Sequence, residues 1–417
     1  MKRYATIVGA VVMAMTMCAL LGPGPVSAAS SATQGVTATT IRVGIPYVDV
    51  SALKAVGVNL NFGNVPDAYK AIINNINAHG GINGRKIIPY IVGVNPVGTA
   101  PAATACTQLT EDDDVFVVMA PLQPPCYQEH NTPVLMGLFT GSTPPGAQPD
   151  FTLTPPDSAF DPLQLTVYKK LGLFKNKKVG LFAGNTSDES ELKIVEAALA
   201  KLHVDVIQTA VDSAPEGDTD AGNEQVSVIS EKFLSTGVNE VVAVGTGANA
   251  WPEGLGAIQS TYNPSWIAIS VSNPAGTLTD PERPYIKKMT YALATPPGET
   301  VWKESQSCVS VIRKAYPSDN INAYRITLPN SELSYIGPEN ACTDLALFVA
   351  IAKAAGKQLT VASFDRAGYG LRNVLIPGAG GAVSFAPGRS YAIGAMYIGH
   401  YESSVGTVVY QTTSATK

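Results

Sequence analysis

The chain has 417 residues, a formal net charge of −5 and only 15% charged side chains. That length accommodates two domains of ordinary size. The mildly acidic balance, without any basic run, argues against nucleic acid as a partner, and the wealth of glycine, proline and alanine describes a compact, turn-rich protein rather than a disordered one.

The first residues read as a targeting segment. Lys2 and Arg3 precede a nearly unbroken apolar run from Ala5 to Leu21. Gly22 to Val26 breaks that run, and Val26-Ser27-Ala28 fits a small-residue cleavage site. The expectation is a signal peptide over 1–28, cleaved after Ala28, with an uncleaved signal anchor as the alternative. Lipidation at Cys18 is disfavoured because Met17 stands where lipoprotein signals carry a small residue. Cleavage would leave about 389 residues and a net charge of −7, since Lys2 and Arg3 are lost.

In chain order, Thr40–Val48 reads as an apolar strand. A helix follows over Asp67–His79, with Ile72, Ile73 and Ile76 in its pattern and Asp67 in its first turn. It stops at Gly80-Gly81, Asn83-Gly84 makes a tight turn, and Lys86–Val94 is the second strand. Pro101–Thr110 reads as a helix and Asp114–Met119 as the third strand. The pattern restarts after Phe151: a helix over Pro162–Leu171, a strand over Lys178–Phe182, an amphipathic helix over Glu189–Leu202 and a strand over Val204–Ala210. Gln225–Leu234 is a helix, Glu240–Gly245 and Trp266–Val271 are strands, and Tyr285–Leu293 carries the chain back. Helices over Val301–Ala315 and Ala341–Ala355, a glycine-rich turn at Gly378–Gly381 and a terminal hairpin over Tyr391–Tyr410 complete the chain. Strands alternating with helices at this spacing define an α/β fold with parallel, doubly wound sheets.

Four cysteines remain beyond the leader, and an even number in an exported chain reads as disulfides. Three pairings are open. Cys106–Cys126 and Cys308–Cys342 are expected, because each pair is close in sequence and within one structural unit. A metal site is disfavoured: no CxxC occurs, and only Cys126 and His130 approach ligand spacing. The consecutive Asp112, Asp113 and Asp114 read as a solvated helix end.

The stretch AIINNINAHGGINGRKI, Ala71–Ile87, resembles the first α/β unit of type I periplasmic solute-binding proteins of the branched-chain amino acid, Leu/Ile/Val-binding class. Gly35–Ile45 resembles that family's entry into its first strand, and Cys106–Leu122, Phe151–Asp157 and Gly380–Phe385 are similar to its later landmarks. The resemblance implies two Rossmann-like lobes joined by three crossovers. Lobe 1 would be 38–153 plus 297–375, and lobe 2 would be 154–296 plus 376–417. It also implies a small molecule, an amino acid or related small organic compound, held in the interlobe cleft for delivery to an ABC transporter permease in the membrane. The protein would then be periplasmic, envelope-bound or secreted, and monomeric, with no cofactor. A ligand-sensing receptor of the same fold and a secreted hydrolase are the other readings.

Ligands of open α/β sheets sit beyond the carboxyl ends of strands. The candidate ligand residues are therefore Tyr47 and Asp49 after strand 1, Gln123 and Pro124 after strand 3, Asn185 and Thr186 after the first lobe 2 strand, Trp251 after Glu240–Gly245, and Ser272 after Trp266–Val271. Each has a plainer role open to it: Tyr47 as a cap on the sheet end, Asn185 or Thr186 as a helix N-cap, Trp251 as half-buried surface. The chain departs from the family in two places. Gln123-Pro124-Pro125-Cys126 carries no hydroxyl where amino-acid binders use Ser or Thr, and Gly184-Asn185-Thr186-Ser187 carries no aromatic where they often have Tyr-Gly. An apolar or weakly polar ligand walled by Tyr47, Pro124 and Trp251 is thus as compatible as an amino acid. No GxSxG, HExxH or GxxxxGK[ST] motif occurs, and Gly245-Thr-Gly-Ala-Asn-Ala lacks the last glycine of a dinucleotide fingerprint, so no enzyme is expected.

Overall fold

The computed structural model describes residues 33–413, apart from 57–58, 97–99, 123, 138–149, 216–217, 248–250, 252–261, 270–286, 295, 326–331, 393–394, 403 and 405–406. The expected signal peptide lies outside them. Among the described residues, no helix is long and apolar enough to cross a membrane.

The first sheet is built from β1 (Thr40–Val48), β2 (Lys86–Val94), β3 (Val117–Met119), β4 (Val134–Met136) and β5 (Phe151–Thr152), in the order β2-β1-β3-β4-β5. Every pairing in it is parallel. Pro89 is tolerated because β2 is an edge strand, where the missing N–H costs no ladder bond on its open side. Helix α1 (Val65–Ala78) begins where the Asn64 side chain accepts the Asp67 N–H at 3.2 Å.

The GGINGRK element has a steric logic. Gly81 has φ 66°, and a Cβ there would lie 1.9 Å from the Arg85 carbonyl oxygen. Asn83 and Gly84 both take positive φ, and Ile82 and Arg85 exchange backbone hydrogen bonds of 2.8 and 2.9 Å. This is the two-residue turn for which Asn-Gly is the preferred pair. The Asn83 amide donates to the Ala352 carbonyl, and the Arg85 guanidinium donates to the carbonyls of Thr37 and Lys357.

Helices α2 (Ala100–Thr107) and α3 (Pro124–Glu129) flank β3, and the Cys106–Cys126 disulfide joins them. A π turn over Gln108–Asp112 extends α2, so β3 starts three residues later than the sequence suggests. Asp114 adopts φ 48° in that connection.

The second sheet contains β6 (Val179–Ala183), β7 (Val206–Val211), β8 (Glu240–Val244), β9 (Ser265–Ile269) and β10 (Met289–Leu293), interleaved with α4 (Asp157–Lys170), α5 (Glu189–Lys201) and α6 (Thr219–Thr236). Helix α4 starts a turn before the expected Pro162 and runs through it, because that proline removes only one backbone donor. Strands β6 and β8 are buried on both faces, as a doubly wound sheet requires. Leu181 and Val242 face a core with α4 and α5, while Phe182 and Val241 face one with Phe233 and Trp251.

Helices α7 (Gly298–Ala315), α8 (Ile336–Ala355) and α9 (Val361–Gly370) return the chain to the first core. The Cys308–Cys342 disulfide ties α7 to α8. A small hairpin of β11 (Val374–Leu375) and β12 (Ala382–Val383) follows. Ile376, Val383, Phe385 and Ala392 then still pack in the first core. Strands β13 (Met396–Glu402) and β14 (Thr407–Thr413) extend the second sheet antiparallel, giving the order β14-β13-β10-β9-β8-β6-β7. The architecture is thus α/β with two doubly wound sheets, as expected.

Glu339 lies in the first turn of α8, 5% exposed, with Oε1 unpaired among the described residues. Burial pushes its pKa up to about 8, and Tyr324 and Tyr335 lie within its field. A carboxyl whose folded pKa is raised stabilises fully below its unfolded value and loses that contribution as pH rises to the folded value. Glu339→Gln should therefore flatten the decline in stability between about pH 4.5 and 8, by roughly 1.4 kcal/mol per unit at most. Denaturation midpoints of both proteins across that range would show it, and parallel curves would refute it.

Candidate ligand site

The carboxyl ends of the two sheets present separate sets of polar side chains. At the end of β1, Tyr47 is half-buried, and a Cβ on Gly93 of β2 would meet its hydroxyl oxygen at 3.1 Å. Burial and then the Asp49 charge raise the Tyr47 pKa. Asp49 accepts the Ser51 N–H at 3.0 Å, and its pKa is lowered by hydrogen bonds from Ser51, so it is a carboxylate at neutral pH. Its own N–H donates to the Val94 carbonyl at 2.9 Å, which fastens the ends of β1 and β2 together.

At the end of β6, the Asn185 side chain accepts the Ser187 N–H at 3.1 Å and caps the short turn Thr186–Asp188. The capping role is therefore real, and Thr186 is left exposed. Asp188, which was not among the candidate ligand residues, links this loop to the next. Its carboxylate accepts the Thr246 N–H at 3.0 Å and the Thr246 hydroxyl at 2.5 Å. Burial raises its pKa and those hydrogen bonds oppose the rise. Gly184 and Gly247 meet backbone to backbone: a Cβ on Gly184 would lie 2.4 Å from the Gly247 nitrogen. The loops after β6 and β8 are one packed unit, and Gly245-Thr246-Gly247 is a turn within it.

Trp251 shows no exposed surface; it stacks within a core of Phe182, Phe233 and Tyr262 at centroid distances of 5.2, 5.8 and 6.5 Å. It packs in the same core cluster as Val241 and Ala243 of β8. Gln123 and Ser272 lie outside the described residues. Pro124 opens α3, which the Cys106–Cys126 bond holds next to the end of β3. Both expected disulfides are formed. The paired sulfurs of Cys106 and Cys126 lie near His130, whose Nε2 is 3.8 Å from a Glu111 oxygen.

No family model matches this chain, and no curated protein matches it in sequence. Solved structures do. A fatty acid ABC transporter substrate-binding protein from Thermomonospora curvata is 15% identical at a TM-score of 0.57, covering 92% of this chain and 94% of that one. The branched-chain amino acid transporter substrate binding protein LivJ from Streptococcus pneumoniae, in complex with isoleucine, is 16% identical at a TM-score of 0.58, covering 90% and 100%. A solute binding protein from R. palustris in complex with 4-hydroxybenzoate is 13% identical at a TM-score of 0.58, covering 90% and 96%. The fold is that of the type I periplasmic binding proteins.

Proposed function

We propose that this chain is an exported solute-binding protein that captures a small organic molecule between its two lobes and delivers it to an ABC permease. The observation that carries this reading is that two polar loop sets, Tyr47 with Asp49 and Asn185–Thr186 with Asp188–Thr246, lie at the carboxyl ends of the parallel strands of two sheets in this fold. Binding rests on hydrogen bonding and water exclusion as the lobes close, without covalent chemistry. Lobe 1 comprises 38–153 plus 297–392, and lobe 2 comprises 154–296 plus 396–413. Residues 1–28 act as the export signal, and the mature chain works as a monomer.

The ligand is an amino acid or a related small organic acid. The absence of a hydroxyl in Gln123–Cys126 and of an aromatic in Gly184–Ser187 makes a weakly polar compound as compatible as a branched-chain amino acid. A thermal-shift screen of branched-chain amino acids, aromatic acids and fatty acids, followed by calorimetry, tests the reading. Stabilisation by one class is expected, with Tyr47→Ala and Thr186→Ala each weakening affinity by roughly tenfold or more at little cost in stability. Unchanged affinity in both variants would remove these residues from the site.

A further inference from the structure

The first turn of α8 buries a carboxyl group that nothing satisfies. Glu339 is 5% exposed, and its Oε1 has no hydrogen-bond partner among the described residues. The amides that usually serve a carboxylate at a helix start are already taken. Ile336, Gly337 and Glu339 donate their N–H groups to the carbonyls of Leu333, Phe62 and Tyr335, and Pro338 has none to give. No ion pair among the described residues involves Glu339. A buried acceptor in this state is costly until a donor reaches it, so the missing partner is a donor and not an anion.

Aromatic rings frame this acid. Tyr335 stands at the N-cap of α8, one turn before Glu339 and on the same helix face. Its ring meets Tyr324 edge to face at 5.6 Å and Trp302 of α7 at 6.2 Å. Tyr324 in turn covers the start of α7, where a Cβ on Gly298 would lie 2.3 Å from its ring. Both tyrosines keep part of their surface in solvent, whereas Glu339 is buried. The Arg313 guanidinium lies 5.4 Å over the Trp302 ring, so the indole already has a cation and the two tyrosines supply the faces that remain. A carboxylate beside tyrosine faces suits an organic ammonium ion: the acid gives charge and an acceptor, and the rings attract the cation with its alkyl part. We infer that Glu339, Tyr335 and Tyr324 form a site for a small primary ammonium ion, which donates an N–H to Glu339 Oε1. A divalent metal fits poorly, because one carboxylate among rings offers too few oxygens.

Burial pushes the Glu339 carboxyl up to about 8, so near neutral pH a proton occupies it and the ammonium ion must displace that proton. Of the groups around it, burial pushes Tyr324 up to about 12 and raises Tyr335 further, so both stay neutral to pH 9. Asp344, pushed up to about 6 and hydrogen-bonded to Tyr69, is mostly ionised by pH 7, and Glu299 of α7 lies near Tyr324. The site shares no residue with the loops assigned to the solute, and its test leaves that reading untouched. n-Butylammonium chloride is titrated calorimetrically into the full chain at constant ionic strength, at pH 7, 8 and 9, in two buffers of different ionisation enthalpy. One equivalent should bind, with nearly one proton released at pH 7. Affinity should rise about fivefold from pH 7 to 8 and less than about twofold from 8 to 9. Neutral n-butanol should bind at least about tenfold more weakly. Glu339→Gln, with the circular dichroism of the parent, should lose at least about tenfold in affinity at pH 8 and all proton release, and Tyr324→Leu should lose roughly fivefold. No binding of n-butylammonium by the parent, equal binding of n-butanol, or unchanged affinity in folded Glu339→Gln would overturn the proposal. Should that variant not fold, the parent's proton release and Tyr324→Leu decide, and absent release or unchanged affinity would overturn it equally.

Discussion

Trp251→Ala is expected to destabilise the protein by about 3–5 kcal/mol, the range for deleting a fully buried large aromatic side chain. The indole fills the space between Phe182 on β6, Phe233 on α6 and Tyr262 ahead of β9, with ring centroids 5.2–6.5 Å away. Its Nε1 has no hydrogen-bond partner among the described residues. Trp251→Phe therefore forfeits volume but no hydrogen bond, and should cost roughly half as much or less. Urea denaturation of the three proteins separates core from pocket. A large loss of affinity in Trp251→Phe with unchanged stability would return the residue to the ligand site.

Asp344→Ala is expected to cost about 3–5 kcal/mol, because two buried donors would be orphaned at once. Asp344 on α8 is 1% exposed; it accepts the Tyr69 hydroxyl at 2.6 Å and the Gly137 N–H at 2.8 Å. One carboxylate thus joins α8, α1 and the end of β4. Burial pushes its pKa up to about 6, and the two hydrogen bonds hold it from rising further. Since the folded value is raised, its contribution is complete below about pH 4 and declines as pH climbs through 6. Asp344→Asn keeps one acceptor and removes the charge, so it should cost less than alanine, and its deficit should shrink towards pH 8. Tyr69→Phe removes one partner and should cost roughly 1–2 kcal/mol. Guanidinium unfolding at two pH values checks the series, and an alanine variant as stable as the parent would refute the network's role.

How far the sequence revealed this arrangement depended on whether a feature is local. Gly80-Gly81 and Asn83-Gly84 need positive φ, and that need is written in the residues themselves. Long strands such as β1 and β8 show as apolar runs. Strands β4 and β5 are only three and two residues long and form by pairing in succession, β4 on the edge of β3 and β5 on the edge of β4. Helix α9 carried a readable signal, the Thr360–Ser363 capping box, that a search for Glu or Gln at the third position misses. The burial of Trp251 was not legible, since Phe182 and Phe233 reach it from distant segments. The spacing of Tyr335 and Glu339 puts them on one helix face, but Tyr324 joins them only through tertiary packing.

Native mass spectrometry of the mature protein, before and after partial unfolding and dialysis, tests the central claim most directly. The account predicts a co-purified small organic molecule that leaves on unfolding, or an empty protein that takes up one equivalent of a compound from the thermal-shift screen. A protein that carries nothing and gains no mass or stability with any amino acid, aromatic acid or fatty acid would contradict it.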